Sequence, residues 1–211
     1  MEIKRFAVGD AGTNCYLLHC GDGLIVIDPG EIGIRKKLAR EKFSKMSVLL
    51  THCHIDHSAG VPELEKDLGA EVYLSKDEFD FFKMGGTLAT FLNTDEIDIA
   101  RPRLLGSRSG VLELYGERIE YFLFPGHTPG SLVYKAGEDL FCGDLLFKNS
   151  IGRTDLFGGD EYEMAKSLRG FAAKFGPECR IRPGHMSETD LETELKNNPV
   201  LKEYLHYDDL I

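Results

Sequence analysis

The stretch Thr51-His52-Cys53-His54-Ile55-Asp56-His57 holds four potential metal ligands within six residues. It directly follows the run from Ser47 to Thr51, whose apolar residues predict a short buried strand. On an extended chain, alternate side chains point the same way, so His52 and His54 can face one metal ion. The stretch therefore predicts a metal site at the end of a strand.

The second pair of ligands points elsewhere. A helix is predicted from Pro62, with proline in its first turn, so the chain has to turn between His54 and that helix. The turn swings Asp56 and His57 toward a different direction, where they can face a second metal. Burying these groups without a metal would leave several polar atoms in need of partners. A pH-sensing cluster or a solvated loop is the alternative.

Two later segments carry a histidine in the same kind of setting. They are Pro125-Gly126-His127-Thr128-Pro129-Gly130 and Arg182-Pro183-Gly184-His185, and each follows a predicted strand. Asp144, in Cys142-Gly143-Asp144, also stands at a predicted strand end, and its carboxylate can bridge two cations that would otherwise repel. Imidazole suits borderline metals such as zinc, and carboxylate adds a hard oxygen ligand.

The sequence therefore predicts a two-metal centre. Its candidate ligands are His52, His54, Asp56, His57, His127, Asp144 and His185. Two zinc ions per chain are expected, although iron or manganese also suits histidine and aspartate ligands. Asp28 has two readings, as a turn residue or as an acceptor that orients a ligating histidine. Cys53 and Cys142 are interpreted as core residues, and His19 and His206 as structural or surface residues.

The rest of the chain alternates strands with helices, which predicts an α/β layered fold. A hairpin is expected around Gly21-Asp22-Gly23. Further strands are predicted at 47–51, 71–74, 111–114, 119–124, 132–134, 140–142 and 180–182, and helices at 31–43, 62–68, 75–82, 162–175 and from 188 with a break at Pro199. The stretch from Gly85 to Gly110 has no clear period and is interpreted as a long irregular excursion of the kind that forms lids or substrate loops.

Composition limits the classes of function. The 35 acidic and 25 basic residues give a net charge of −10, which disfavours a nucleic-acid partner and a nuclease function. No apolar run is long enough for a membrane span, and the start of the chain does not resemble a signal peptide. Five cysteines, an odd number without a CxxC, indicate free thiols in a reducing compartment. We therefore expect a cytoplasmic protein with no membrane partner.

These motifs, in this order, resemble the metallo-β-lactamase superfamily from about residue 13 to 187. Within it, three segments resemble glyoxalase II-like hydrolases: Thr13-Asn14-Cys15-Tyr16, Ile27-Asp28-Pro29-Gly30 and Gly152-Arg153-Thr154-Asp155-Leu156. The resemblance implies one four-layer αββα domain over residues 1–211, without the helical C-terminal domain that supplies part of the glutathione site. It also implies that His127 joins His52 and His54 on one metal, that His185 joins Asp56 and His57 on the other, and that Asp144 bridges them.

The functional hypothesis is hydrolysis of a small-molecule thioester or ester by a hydroxide between the two metals, with Asp56 as the catalytic residue that hydrogen-bonds the attacking oxygen. Arg153 and Lys148 can meet an anionic substrate group, or serve as ordinary surface residues. The enzymatic alternative is a persulfide dioxygenase of the same fold, with one iron on His52, His127 and Asp144. The non-enzymatic alternative is a metal- or ligand-binding domain without turnover.

Overall fold

The first sheet belongs to the amino-terminal half of the chain. The computed structural model describes residues 1–89 and 95–206. Within them the strands of this sheet are, in spatial order, β1 (Glu2–Val8), β2 (Thr13–Cys20), β3 (Gly23–Ile27), β4 (Lys45–Leu49), β5 (Glu71–Ser75) and β6 (Arg103–Leu105). Strands β1, β2 and β3 pair antiparallel, and β3 to β6 pair parallel.

The second sheet belongs to the carboxy-terminal half. Its strands are β7 (Ser109–Leu114), β8 (Glu117–Leu123), β9 (Leu132–Ala136), β10 (Asp139–Gly143), β13 (Arg180–Pro183) and β14 (Thr189–Asp190). Only the pairing of β10 with β13 is parallel among these described strands. A small separate hairpin is formed by β11 (Leu146–Phe147) and β12 (Ser150–Ile151).

Helices cover the outer faces of both sheets. They are α1 (Arg35–Leu38), α2 (Ile55–Ser58), α3 (Val61–Leu68), α4 (Lys76–Lys83), α5 (Glu161–Lys174), α6 (Leu191–Asn197) and α7 (Pro199–Leu205). Side-chain oxygens cap four of their amino termini, at Ser75, Asp160, Asp190 and Asn198. Such caps satisfy backbone N–H groups that the helix itself leaves without acceptors.

Three apolar cores separate the layers. Because successive side chains of a strand point to opposite faces, Leu17 of β2 packs in the core under α1 and α3, whereas Tyr16 and Leu18 pack between the two sheets. The third core joins the outer face of the second sheet to α5, α6 and α7, and it contains Leu140 of β10 and Leu168 of α5. This helix–sheet–sheet–helix order confirms the four-layer αββα sandwich.

The predicted hairpin is confirmed at β2 and β3, as are the predicted buried strand before the histidine cluster and the helices at α3, α4 and α5. The helix predicted over 31–43 is wrong: only α1 is helical there. Gly33 has a φ of +83°, which an α-helix does not adopt, and beyond α1 the chain turns so that Glu41 reaches Lys4. Strand β1 was not predicted.

The excursion predicted from Gly85 to Gly110 is partly ordered, because it contains β6 and the first residues of β7. Residues 90–94 of that excursion lie outside the described residues. All five cysteines are buried and free, Cys53 and Cys142 among them. None of the helices in the described part of the chain combines the length and the apolar character needed to cross a lipid bilayer.

Candidate metal centre

The four segments that carry the candidate ligands meet at one edge of the sandwich. His52 follows β4, His127 lies between β8 and β9, Asp144 follows β10, and His185 follows β13. Asp56 and His57 lie in the short helix α2, which makes the turn that the sequence predicted. All seven predicted side chains are thereby brought together, in overlapping groups whose ligand atoms lie within 4.8 Å of one another.

The first ligand group consists of His52, His54 and His127. All three side chains are buried, with at most 4% of each residue exposed. His54 Nδ1 lies 3.0 Å from His127 Nε2. His52 Nε2 is buried, and it neither accepts nor donates a hydrogen bond among the described residues. A buried ring nitrogen without a partner is costly, so this group has the chemistry of an ion site.

The second ligand group consists of Asp56, His57 and His185. His57 Nε2 lies 3.2 Å from His185 Nε2, and Asp56 Oδ2 lies 3.2 Å from His185 Nε2 and 3.6 Å from His57 Nε2. The side chains of Asp56 and His185 keep 22% and 21% of their surface exposed. This group is therefore more open than the first, and it contains a carboxylate.

Asp144 faces both groups. Its Oδ2 lies 3.5 Å from His127 Nε2 and 3.6 Å from His185 Nε2, while its Oδ1 lies 3.4 Å from His57 Nε2. One carboxylate oxygen is thus almost equidistant from a histidine of the first group and a histidine of the second. This is the position that a bridging ligand between two cations requires.

The ring nitrogens that point away from the centre have partners of their own. Asp28 Oδ2 lies 3.0 Å from His57 Nδ1, Thr51 Oγ1 lies 3.0 Å from His52 Nδ1, and the Arg153 carbonyl oxygen lies 2.7 Å from His127 Nδ1. Asp28 also accepts from Thr51 N and Oγ1, and its φ is +52°. Acceptors in these places fix the ring orientation and tautomer, so Asp28 has the orienting contact that was one of its two readings.

Electrostatics differ between the two groups. Burial lowers the pKa of His52 well below its usual range and lowers that of His54 to about 3, which leaves both rings neutral. Burial opposes charge on His57 as well, but Asp144, Asp56 and Asp28 raise its pKa well above the usual value. At Asp144 the charge of His57 and the hydrogen bond with it outweigh the effect of burial, so the pKa of this carboxyl falls to about 2. The carboxylates are therefore ionised at neutral pH.

The amino-terminal hairpin holds the loop that carries His185. Asn14 Nδ2 donates to the carbonyl oxygens of Pro183 (3.0 Å) and Met186 (2.9 Å), and Tyr16 Oη donates to that of Pro183 (2.8 Å). Thr13 Oγ1 donates to Asp56 Oδ2 at 3.2 Å. The sequence pointed to this segment only by resemblance, because no local pattern shows that the start of β2 meets a loop more than 160 residues later.

Glu78 is a residue that the sequence did not single out. Its side chain, in α4, is fully buried and accepts hydrogen bonds from Cys53 N at 2.7 Å and from Thr128 Oγ1 at 2.7 Å. Both donors lie next to candidate ligands. In contrast, His19 lies outside the centre and faces Glu41 Oε2 at 3.0 Å, which agrees with a structural role.

A cavity of about 360 Å³ opens onto the centre. It is lined by Ala11, His54, Asp56, Leu88, His127, Asp144, Phe147, Ser150, Ile151, Arg153, Leu156, His185 and Met186. Arg153 therefore lies at the cavity, but its guanidinium pairs with Asp155 (Nε to Oδ1 2.6 Å). Lys148 is exposed and is not among the lining residues. A larger cavity of about 810 Å³, between α3 and β6, contains none of the candidate ligands.

Comparison with known proteins agrees with this geometry. The sequence profile of the metallo-beta-lactamase superfamily matches residues 8–200. The probable metallo-hydrolase YqgX of Bacillus subtilis is 30% identical in an alignment of 206 positions that covers 95% of this chain and 98% of YqgX. The hydroxyacylglutathione hydrolase GloC of Haemophilus influenzae is 31% identical in an alignment of 209 positions that covers 95% of this chain and 98% of GloC.

Among solved structures, the di-iron-bound form of TTHA1623 is similar, with a TM-score of 0.82 and 30% identity over 93% of this chain and 98% of that chain. The matched profile covers every candidate ligand. The fold, the order of the motifs and these relatives agree, and the chain belongs to the metallo-β-lactamase superfamily of metal-binding hydrolases.

Proposed function

We propose that this chain is a binuclear metallohydrolase of thioesters or related esters. The proposal is carried by Asp144, whose carboxylate faces a histidine of each ligand group at 3.4–3.6 Å. The first metal would be held by His52, His54 and His127, and the second by Asp56, His57 and His185. Asp144 would serve both.

The donor atoms fit such ions. Two nitrogens bound to one tetrahedral ion at about 2.0–2.1 Å lie about 3.3–3.4 Å apart. The pairs His54 Nδ1–His127 Nε2 at 3.0 Å and His57 Nε2–His185 Nε2 at 3.2 Å are close to that spacing. The outward ring nitrogens of His57 and His127 already have acceptors, so each inward nitrogen can bind a metal that displaces any proton on it. Zinc is the proposed metal, and the same donors also suit iron and manganese.

When bound, divalent cations supply Lewis acidity, which lowers the pKa of water toward about 7 and stabilises charge on an oxyanion. The chain's own residues do the rest. Asp56 lines the cavity and is ionised, because His57 and a hydrogen bond with His185 lower the pKa of its carboxyl despite burial. Its carboxylate can accept a hydrogen bond from water and aim an oxygen lone pair at the substrate carbonyl. This arrangement uses no serine or cysteine nucleophile.

The cavity supports a thioester with an apolar acyl group. Leu88, Phe147, Ile151 and Leu156 supply much of its lining, which favours apolar substrate surface. The guanidinium of Arg153 is engaged by Asp155, so its charge is already balanced by a neighbouring carboxylate. GloC, named as a hydroxyacylglutathione hydrolase, is aligned over nearly its whole length with this chain. This nearly full-length match supports glutathione thioesters as candidate substrates.

The test is an activity panel on zinc, iron and manganese forms of the full chain. The substrates are S-lactoylglutathione, a neutral short-chain acyl thioester and an aryl ester. The Asp144→Ala variant, which lacks the proposed shared ligand, is assayed in parallel as the negative control. We expect metal-dependent thioester hydrolysis that falls more than about 100-fold in the control, because both metals lose their common ligand.

The dioxygenase alternative leaves the second ligand group without a use. One iron per chain, together with oxygen consumption on glutathione persulfide, would replace the hydrolase proposal. Retention of two metals without turnover of any ester, thioester or persulfide would favour a metal-binding domain instead.

A further inference from the structure

We propose that Glu78 is a positioning residue for the first metal, because its carboxylate ties together the two loops that carry His52, His54 and His127. This inference rests on the proposed assignment of those three histidines to one metal ion. Glu78 touches none of the ligand atoms and would act through the backbone of the loops.

The contacts of Glu78 divide between the two loops. Its Oε1 accepts from Cys53 N at 2.7 Å, and Cys53 lies between His52 and His54. Its Oε2 accepts from Thr128 Oγ1 at 2.7 Å and from Gly130 N at 3.0 Å, in the loop that begins at His127. One rigid carboxylate thus fixes the spacing between the two loops.

The helix that carries Glu78 is docked on the same loop. Ser75 Oγ accepts from Glu78 N (3.0 Å) and donates to the carbonyl oxygen of Gly130 (2.8 Å). A side chain at Gly130 would collide with the backbone of Glu78. The amino terminus of α4 and the histidine loop therefore hold each other in one register, and the Glu78 carboxylate cannot shift without moving both ligand loops.

A carboxylate suits this position better than an amide. An ionised carboxylate only accepts hydrogen bonds, and all three of its neighbours here donate. Glu78 is completely buried, and burying a charge is costly unless hydrogen bonds compensate it. A buried carboxylate between the two loops of one ligand group is unfavourable in itself. We explain its presence by a requirement to fix the position of these loops relative to each other.

The experiment separates the two metals by disabling one site at a time. His185→Ala disables the second ligand group and keeps the first intact. His54→Ala disables the first group and keeps the second intact. Zinc affinity of each chain, with and without Glu78→Gln, is measured by competition with a chromogenic chelator. In Glu78→Gln the amide NH₂ faces Gly130 N, which sets donor against donor. We expect about 10–100-fold weaker zinc binding in the His185→Ala background, and a change below about 3-fold in the His54→Ala background.

Glu194 supplies a matched control. It is also fully buried in a helix, and it accepts from Asn149 N, Thr189 Oγ1 and Asn198 Nδ2 at 2.7–2.9 Å. None of these donors lies in a loop of the first ligand group. Glu194→Gln therefore removes a comparable network, and we expect it to leave zinc affinity in the His185→Ala background within about 3-fold.

Equal weakening in both backgrounds, no weakening in the first, or the same loss with Glu194→Gln would overturn the role of Glu78. If Glu78→Gln does not fold by circular dichroism, Thr128→Val decides, since it removes one of the three bonds and must weaken zinc with the same selectivity. Failure of the proposed function gives a different result: the unsubstituted chain would hydrolyse no thioester or ester of the panel, or would hold one iron per chain, whatever Glu78→Gln does to zinc affinity.

Discussion

The two ligand groups of the candidate centre contrast in burial, charge and origin. The first has three buried imidazoles from two loops, whereas the second has a carboxylate, two imidazoles and two side chains that are about one-fifth exposed. His52 and His54 are neutral because burial lowers their pKa. The second group is surrounded by carboxylates. The contrast suggests that the first site is held by packing and the second by charge.

Each group also has its own buried carboxylate behind it. Asp28 contacts His57 directly, at 3.0 Å, and reaches the first group only through Thr51. Glu78 contacts the backbone of both loops of the first group. Under the proposed assignment, the two sites would have separate supports and would share Asp144, so we expect that they can be weakened one at a time.

The largest effects are expected from removing ligands. His54→Ala should lose the first metal and His185→Ala the second, while Asp144→Ala should weaken both, because its oxygens face both groups. Hydrolysis should fall more than about 100-fold in each variant, beyond the loss expected for a supporting residue. Zinc per chain after gel filtration gives the readout. Loss of both metals in His54→Ala would mean that the sites are not separable.

A smaller effect is expected for Asp28→Asn. The amide can still accept from Thr51 N but it no longer balances the charge on His57, so the second metal should bind about 10–100-fold more weakly. Chelator competition in the His54→Ala background measures this. The result is compared with that for Glu78→Gln: each substitution should weaken the binding of one metal and leave the binding of the other unchanged. If both weaken the same metal, the separate-support interpretation is wrong.

Acid should release the second metal before the first. Burial opposes charge on His185, but its hydrogen bond with Asp56 and the proximity of Asp144 raise its pKa, so the metal-free ring keeps its proton to a higher pH than free histidine. A metal must displace that proton, and affinity then falls about tenfold for each pH unit below that pKa. The rings of His52 and His54 are neutral and impose no such competition. Zinc titrations between about pH 5 and 8, the range in which histidine titrates, should show this slope in His54→Ala and a flatter profile in His185→Ala.

The sequence predicted the candidate ligands from His52 to His57 because their spacing is local. Two histidines two residues apart on extended chain face one way, and the turn into α2 redirects Asp56 and His57, as the backbone physics of a strand end requires. Buried strands such as β3 and β4 were predictable from their continuous apolar runs.

Residues whose role depends on distant contacts were not predictable. Glu78 lies in a helix of ordinary composition, and its partners are 25, 50 and 52 residues away. Strand β1 has little apolar alternation and forms because its backbone pairs with β2. Local composition predicted a longer helix than α1. The structure shortens it because Gly33 has a positive φ before the helix and because the chain turns toward β4 after Leu38. In each case tertiary contact decides what local propensity leaves open.

The smallest predicted effect tests how finely the two sites are separated. Thr13 Oγ1 donates to Asp56 Oδ2 at 3.2 Å, a long neutral-donor bond at a partly exposed carboxylate. Such a bond contributes about 1 kcal/mol, so Thr13→Val should weaken the second metal by no more than about 5–10-fold. The first metal shares no atom with this contact and should bind unchanged. Zinc competition in the His54→Ala and His185→Ala backgrounds distinguishes the two, and an equal loss in both would show that β2 supports the whole centre through the His185 loop rather than Asp56 alone.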